Sequence, residues 1–390
     1  MSAPSKTRIA WVDNVKMVAM LFVMLGHTWR LIHCPLPLWL NEFILSFNMA
    51  LFVMMTGYTS VGAIGRIVDL RSLWDYVFKI TKRILLPAAL FYLAFFWIIG
   101  PLTMKKLLIA AAKILFVAGV AFVYYKGRND KRWKLVFDII CLVLAPYAIF
   151  RTGYWFFAMI WCVCASVAVG RCLYIYIGKL FHRKEDTGGI WPAFAGLALL
   201  ALVVSMPLNF IHDKTSDFLP FFLLGFAGRL LTGTTGIGKV TKAWTILLAL
   251  LCLGGGWWLT RWAGPDTMNF WEFHFLNALR GGTPHLFLLR IAASTLLCLF
   301  FILITRVLSK TYNRFSYWGS ETLPLYLIHA WIVSVFFYQL NLEVQLNDWQ
   351  YLLFAIPATA LLLVASQGII RLLDKFKSTR ALFLGKLDYI

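Results

Sequence analysis

Apolar residues in this chain run in unbroken stretches of about 20, separated by short polar segments, rather than alternating one in and one out. Twelve stretches predict helices: 12–32, 38–62, 84–100, 107–125, 135–150, 154–177, 191–210, 217–232, 243–261, 285–305, 320–340 and 349–372. About 20 apolar residues in an α-helix cross roughly 30 Å of hydrocarbon, whereas the strands of a membrane barrel show ~10-residue alternating segments, which are missing here. The pattern therefore predicts an all-α fold, a polytopic bundle of transmembrane helices. Stretches 107–125 and 135–150 are the least regular, because Lys105 and Lys106 precede the first and Lys113 sits inside it. A ten-span arrangement, with part of 100–150 lying along the membrane surface, stays open beside the twelve-span one. The connections are short and no internal repeat is visible. Residues 1–390 read as one membrane domain with no soluble domain attached.

Composition sharpens this. The chain is 61% hydrophobic and 14% charged, against roughly 25% charged residues in a soluble domain. Its net charge of +20 raises nucleic acid as a partner, but the placement of the charge excludes it. Alternating sides from a cytoplasmic N-terminus gathers most of the 37 basic residues in inner segments: Lys6 and Arg8, then Arg66 to Arg83, Lys126 to Lys134, Lys179 to Lys184, Arg229 to Lys242, Arg306 to Arg314, and Arg371 to Lys386. Such charges orient membrane proteins, and either span count leaves both termini cytoplasmic. Six of the seven cysteines fall inside spans, with Cys34 near an outer loop, so no disulfide framework is expected. The first stretch is too long for a cleaved leader and lacks a small-residue cleavage pattern, so it is expected to remain as an anchor. The largest outer segment, about 263–284, carries Asp266, Trp271, Glu272, His274 and Arg280.

Ionisable groups within hydrocarbon are costly and mark functional candidates. The first span opens Asp13-Asn14-Val15-Lys16 and reaches Gly26-His27-Thr28. Lys16 and His27 fall about 20° from one helical face and about 16 Å apart along the axis. A cation at the mouth and an imidazole deep inside would suit an elongated anionic donor entering from the cytoplasm. Plainer roles remain open: Lys16 snorkelling to headgroups, His27 bonded within the core, Asp13 capping the helix. Span 320–340 places a second imidazole, His329, in a hydrophobic helix. Two such histidines without partners at ligand spacing favour proton transfer or hydrogen bonding over a metal site. Gly233-Thr234-Thr235-Gly236-Ile237-Gly238-Lys239-Val240 imitates a phosphate-binding loop, but Val240 replaces the required hydroxyl residue and the segment links two membrane spans.

Trp11-Val12-Asp13-Asn14-Val15-Lys16, with ten residues between Lys16 and His27, resembles the first-helix signature of the acyltransferase-3 family. Phe47-Asn48-Met49-Ala50-Leu51-Phe52 running on to Thr56-Gly57-Tyr58 resembles the next block. Lys79-Ile80-Thr81-Lys82-Arg83 before Pro87, Trp155-Phe156-Phe157, and Leu325-Tyr326-Leu327-Ile328-His329 follow in the family's order. The family usually has Arg at Lys16, often His near Asn48, Pro at Ala50 and Ser at Thr56. Lys16 keeps the positive charge without the bidentate fork. The Asp-Asn-x-Lys form and the run from Gly319 to Tyr326 look like the sugar O-acetylase branch.

The resemblance implies acyl transfer, from acetyl-coenzyme A in the cytoplasm to a sugar hydroxyl on a lipid-linked or cell-surface glycan, within the bacterial inner membrane. No resident cofactor or metal is implied; the partners are acyl-CoA, the carbohydrate acceptor and membrane lipids. His27 is then expected as general base or proton relay, with His329 and Asp13 as further catalytic residues. Lys16, Lys82 and Arg83 are expected on coenzyme phosphates, although a topology signal explains Lys82 and Arg83 as well. Tyr326, Trp155 and Glu42 are expected to bind substrate. Trp262 and Trp271 either stack on sugar rings or belong to an interfacial aromatic belt. Some family members carry an extra soluble hydrolase-like domain, whereas here the membrane domain is expected to finish the reaction or pass the acyl group on. Succinyl transfer to a periplasmic glucan, and transport of a glycan or lipid, are the alternatives.

Overall fold

The computed structural model describes residues 9–96, 103–151, 154–180, 211–232, 241–264, 278, 281–309, 311–339 and 342–386. Among these, every regular element is helical. Eight helices are long and apolar enough to cross a membrane, including Met104–Gly127, whose mean hydropathy of 2.3 outweighs Lys113. Helices also occupy the expected spans near 84–100, 135–150 and 217–232. The expected span 191–210, the glycine-rich 233–240 segment, and Trp271, Glu272 and His274 lie outside the described residues. The chain divides into two compact, interleaved units.

The first unit comprises Met1–Gly26, Pro37–Val61 and Ser216–Thr322. It contains most of α1 (Ala10–His27) and α3 (Leu38–Ile64). These two share an aromatic cluster in which Phe22 meets Phe43, Phe47 and Phe301 edge-on, at centroid distances of 6.1, 5.0 and 5.3 Å. Phe301 lies on α11 (Pro284–Leu308), beside α10 (Lys242–Ala263). Backbones touch where α3 crosses α9 (Ile211–Thr232). A Cβ at Gly225 would lie 1.8 Å from the Met54 carbonyl oxygen, and one at Gly57 would lie 2.0 Å from that of Phe222. Without a hydrophobic driving force between helices in lipid, such close approach supplies the packing energy. Asp217 of α9 pairs with Arg290 of α11 at 3.6 Å, both side chains fully buried, as a charge in hydrocarbon requires.

The second unit comprises His27–Leu36, Gly62–Thr215 and Leu323–Ile390. The short α2 (Trp29–Ile32) ends at His33, whose φ of 51° turns the chain. After α4 (Leu70–Ile80), a π-helical turn at Thr81–Leu85 leads into α5 (Leu86–Phe95). The antiparallel pair α6 (Met104–Gly127) and α7 (Lys131–Arg151) packs beside it, followed by α8 (Trp155–Leu180). The short α12 (Arg314–Ser320) belongs to the first unit, and the second resumes with α13 (Thr322–Gln339). The long α14 (Asp348–Asp374) then turns into α15 (Lys377–Leu384). Phe383 of α15 packs against Phe91 and Phe95 of α5, closing the unit.

Candidate active site

Two imidazoles meet in the second unit. His27 Nδ1 lies 3.1 Å from His329 Nε2, with the rings stacked at 5.3 Å and 17°. His329 is fully buried and His27 is half-buried. The bonding pattern assigns the hydrogens. His329 Nδ1 is 3.0 Å from the Leu325 carbonyl oxygen, one turn back on α13. A carbonyl can only accept, so Nδ1 carries the hydrogen, and in the neutral ring Nε2 holds the lone pair. His27 must then donate from Nδ1, which leaves its own Nε2 as an acceptor. That is the nitrogen a general base uses.

Neighbouring side chains hold this pair in place. Tyr326 crosses His329 edge-on at 5.3 Å and stacks on Phe156 at 4.9 Å. The Tyr154 hydroxyl donates to the Leu327 carbonyl at 3.2 Å, which fixes α13 against the start of α8. Next to His27, the Thr28 hydroxyl and the Tyr351 hydroxyl of α14 are 2.7 Å apart. Trp155 touches Phe156 at 6.0 Å and has the Lys214 ammonium 5.9 Å from its ring centre. A chain of ring contacts through Phe156 and Tyr326 connects it to His329. Arg30 was absent from the residues expected from sequence. It lies one helical turn beyond His27, its charge acts on His27, His329 and Tyr326, and it has no acidic partner among the described residues. The i, i+3 spacing from His27 was the available signal.

The N-terminal end of α1 belongs to the first unit and forms a polar cluster of its own. Asp13 is not a cap, because α1 begins at Ala10 and Asp13 is buried within its first turn. Its carboxylate takes Lys16 Nζ at 3.5 Å and the Tyr312 hydroxyl at 3.5 Å. Asn14 donates to Ser309 at 2.6 Å and accepts from Ser316 at 2.7 Å, tying the start of α12 to α1. Asn313 completes the link by capping α12 on Ser316. Only a glycine fits at position 319, where a Cβ would stand 1.8 Å from the Asp13 carbonyl oxygen. The Asp-Asn pair thus anchors the 309–320 segment, and Lys16 remains half-buried beside it.

The other expected residues have partners of their own or face outward. Lys82 is buried by the π turn, 3.2 Å from Asp138 of α7 and 4.2 Å from the Phe78 ring centre, so its charge is already neutralised inside the unit. Arg83, the next residue, is exposed. Glu42 is buried in the first unit, paired with Arg261 of α10 at 2.9 Å, toward the end of α3 opposite Tyr58. Trp262 shares an exposed stripe with Leu247, Leu251 and Trp258. On a spanning helix that stripe faces lipid, which favours the aromatic belt for Trp262.

Among the described residues, eight helices are long and apolar enough to cross a membrane, as in a multi-pass integral membrane protein, and an imidazole pair joins two of them. A family model described as an acyltransferase domain matches residues 9–371, and the chain belongs to this family, acyltransferase-3. It is accordingly a membrane acyltransferase. No curated protein matches the chain, and no solved structure does.

Proposed function

We propose that the protein transfers an acetyl group from acetyl-coenzyme A, supplied at the cytoplasmic face, to a hydroxyl of a cell-surface or lipid-linked carbohydrate, in the bacterial inner membrane. The observation that carries the reading is the hydrogen-bonded pair His27–His329, whose tautomers leave His27 Nε2 ready to accept a proton. His27 takes the acceptor's hydroxyl proton at Nε2 as the oxygen attacks the thioester carbonyl. Its Nδ1 hydrogen points at His329 Nε2, which can share or take the positive charge. As the tetrahedral intermediate collapses, the C–S bond breaks and the proton passes from His27 to the departing thiolate. The Arg30 guanidinium faces the negative charge that develops on the carbonyl oxygen. Asp13 and Lys16 organise the opposite end of α1, where Lys16 meets the coenzyme phosphates as a point charge.

Succinyl transfer to a glucan is a second reading. Arg30 favours it, because a cation without an acidic partner among the described residues would also hold the free carboxylate of a succinyl group. Mass analysis of cell-surface glycans from cells with the protein, without it, and with His27→Ala tests both. Loss of one acyl mass in the last two identifies the group and supports His27 as the base, with an expected fall of about 10²-fold or more in transfer. Unchanged acylation in His27→Ala at equal protein level overturns the mechanism.

A further inference from the structure

We propose that α4 lies in the plane of the membrane surface, with Leu70, Trp74 and Phe78 seated among phospholipid acyl chains and Arg66, Arg71 and Lys79 on anionic headgroups. The inference stands apart from the acyl-transfer chemistry and rests on the environments around one short helix.

With 11 residues, α4 is about 16 Å long, half of what a crossing needs. It follows a spanning helix that ends at Ile64 by only a few residues, so connectivity already keeps it at the bilayer surface. None of its residues is buried. Three arcs run along it. Leu73, Val77 and Ile80 are half-buried on one flank of α4, which packs against α8 as an element. Leu70, Trp74 and Phe78 follow at steps of four, with Leu70 and Trp74 64% and 57% exposed, and the Trp74 and Phe78 rings stack at 6.1 Å. Arg71, Asp75 and Lys79 form the next row and are exposed. A helix with protein on one flank, bare aromatic surface on the second and charge on the third matches the layered composition of a bilayer interface.

Charge selects the headgroup. Arg66, Arg71 and Lys79 outnumber Asp69 and Asp75, and Asp69 is engaged in capping α4 through Ser72 at 2.7 Å. A polybasic edge beside a spanning helix attracts anionic lipid. Phe78, the last residue of the apolar row, also lies under the Lys82 ammonium, so the seated face continues into the π turn that starts α5.

The full chain in native membranes provides the test, with a benzophenone amino acid in place of Trp74, Leu70 or Asp75. Phospholipid adducts at 70 and 74, and few at 75, are the expected result. Adducts to a second copy or to another protein at 70 and 74, or no lipid adduct at either, would overturn the seating. The headgroup contact is read in vesicles of phosphatidylglycerol and phosphatidylcholine, by the lipid that remains bound on extraction. Enrichment of phosphatidylglycerol, reduced several-fold by Arg66→Gln with Arg71→Gln, supports it; equal retention of both lipids by the wild-type protein overturns it.

Discussion

A single carbonyl decides which nitrogen of His27 can act. Leu325 accepts from His329 Nδ1, His329 Nε2 accepts from His27 Nδ1, and His27 Nε2 is left basic. On the proposed mechanism, removing the middle acceptor should therefore lower transfer while leaving His27 in place. His329→Leu leaves His27 free to move its hydrogen to Nε2, and transfer is expected to fall about 10²-fold. His329→Gln, whose amide oxygen can accept the same bond, should retain distinctly more. Steady-state acyl transfer at matched protein levels distinguishes them, and equal losses in both variants would reduce His329 to a packing residue. Both histidines were legible in the sequence, because an imidazole within an apolar helix is conspicuous. Arg30 was not, since a basic residue near a span end looks like any other interfacial cation until its neighbours are known.

Among the elements, α9 and α11 are joined by a buried ion pair that hydropathy alone does not reveal. Asp217 sits within a predicted span and Arg290 near the start of another, yet only their 3.6 Å approach makes them one feature. Asp217→Asn removes the negative charge facing a buried guanidinium and is expected to destabilise the first unit by about 3 kcal/mol, measured by thermal unfolding in detergent. Replacing both partners together, Asp217→Leu with Arg290→Met, should recover most of that loss, because the desolvation cost disappears with the charges. The cap of α4 carries its own pH signature. The hydrogen bonds from Ser72 hold the Asp69 carboxyl below the usual carboxylate range. Its contribution is complete above the ordinary aspartate pKa and is lost as pH falls through the depressed one. A lower protection factor for the Ser72 amide, measured against its intrinsic exchange rate, at strongly acid pH and at neutral pH in Asp69→Ala is the expected readout.

For the whole molecule, the distribution of basic residues argues that both ends of the chain face the cytoplasm. Green fluorescent protein fused at either end should fluoresce and alkaline phosphatase should stay inactive; the reverse at one end would require an odd number of crossings. The helices and their membrane-spanning character were determined by the sequence alone, because apolar run length is a property of a chain read in one dimension. The acyltransferase-3 resemblance was also carried by local blocks, each short and in order. What the tertiary structure decided is which polar groups meet. His27 and His329 are 302 positions apart and 3.1 Å apart in space. Lys82 is paired with Asp138, and Glu42 with Arg261. In a medium without water a buried charge needs a polar or aromatic partner, and helix packing determines which one it finds.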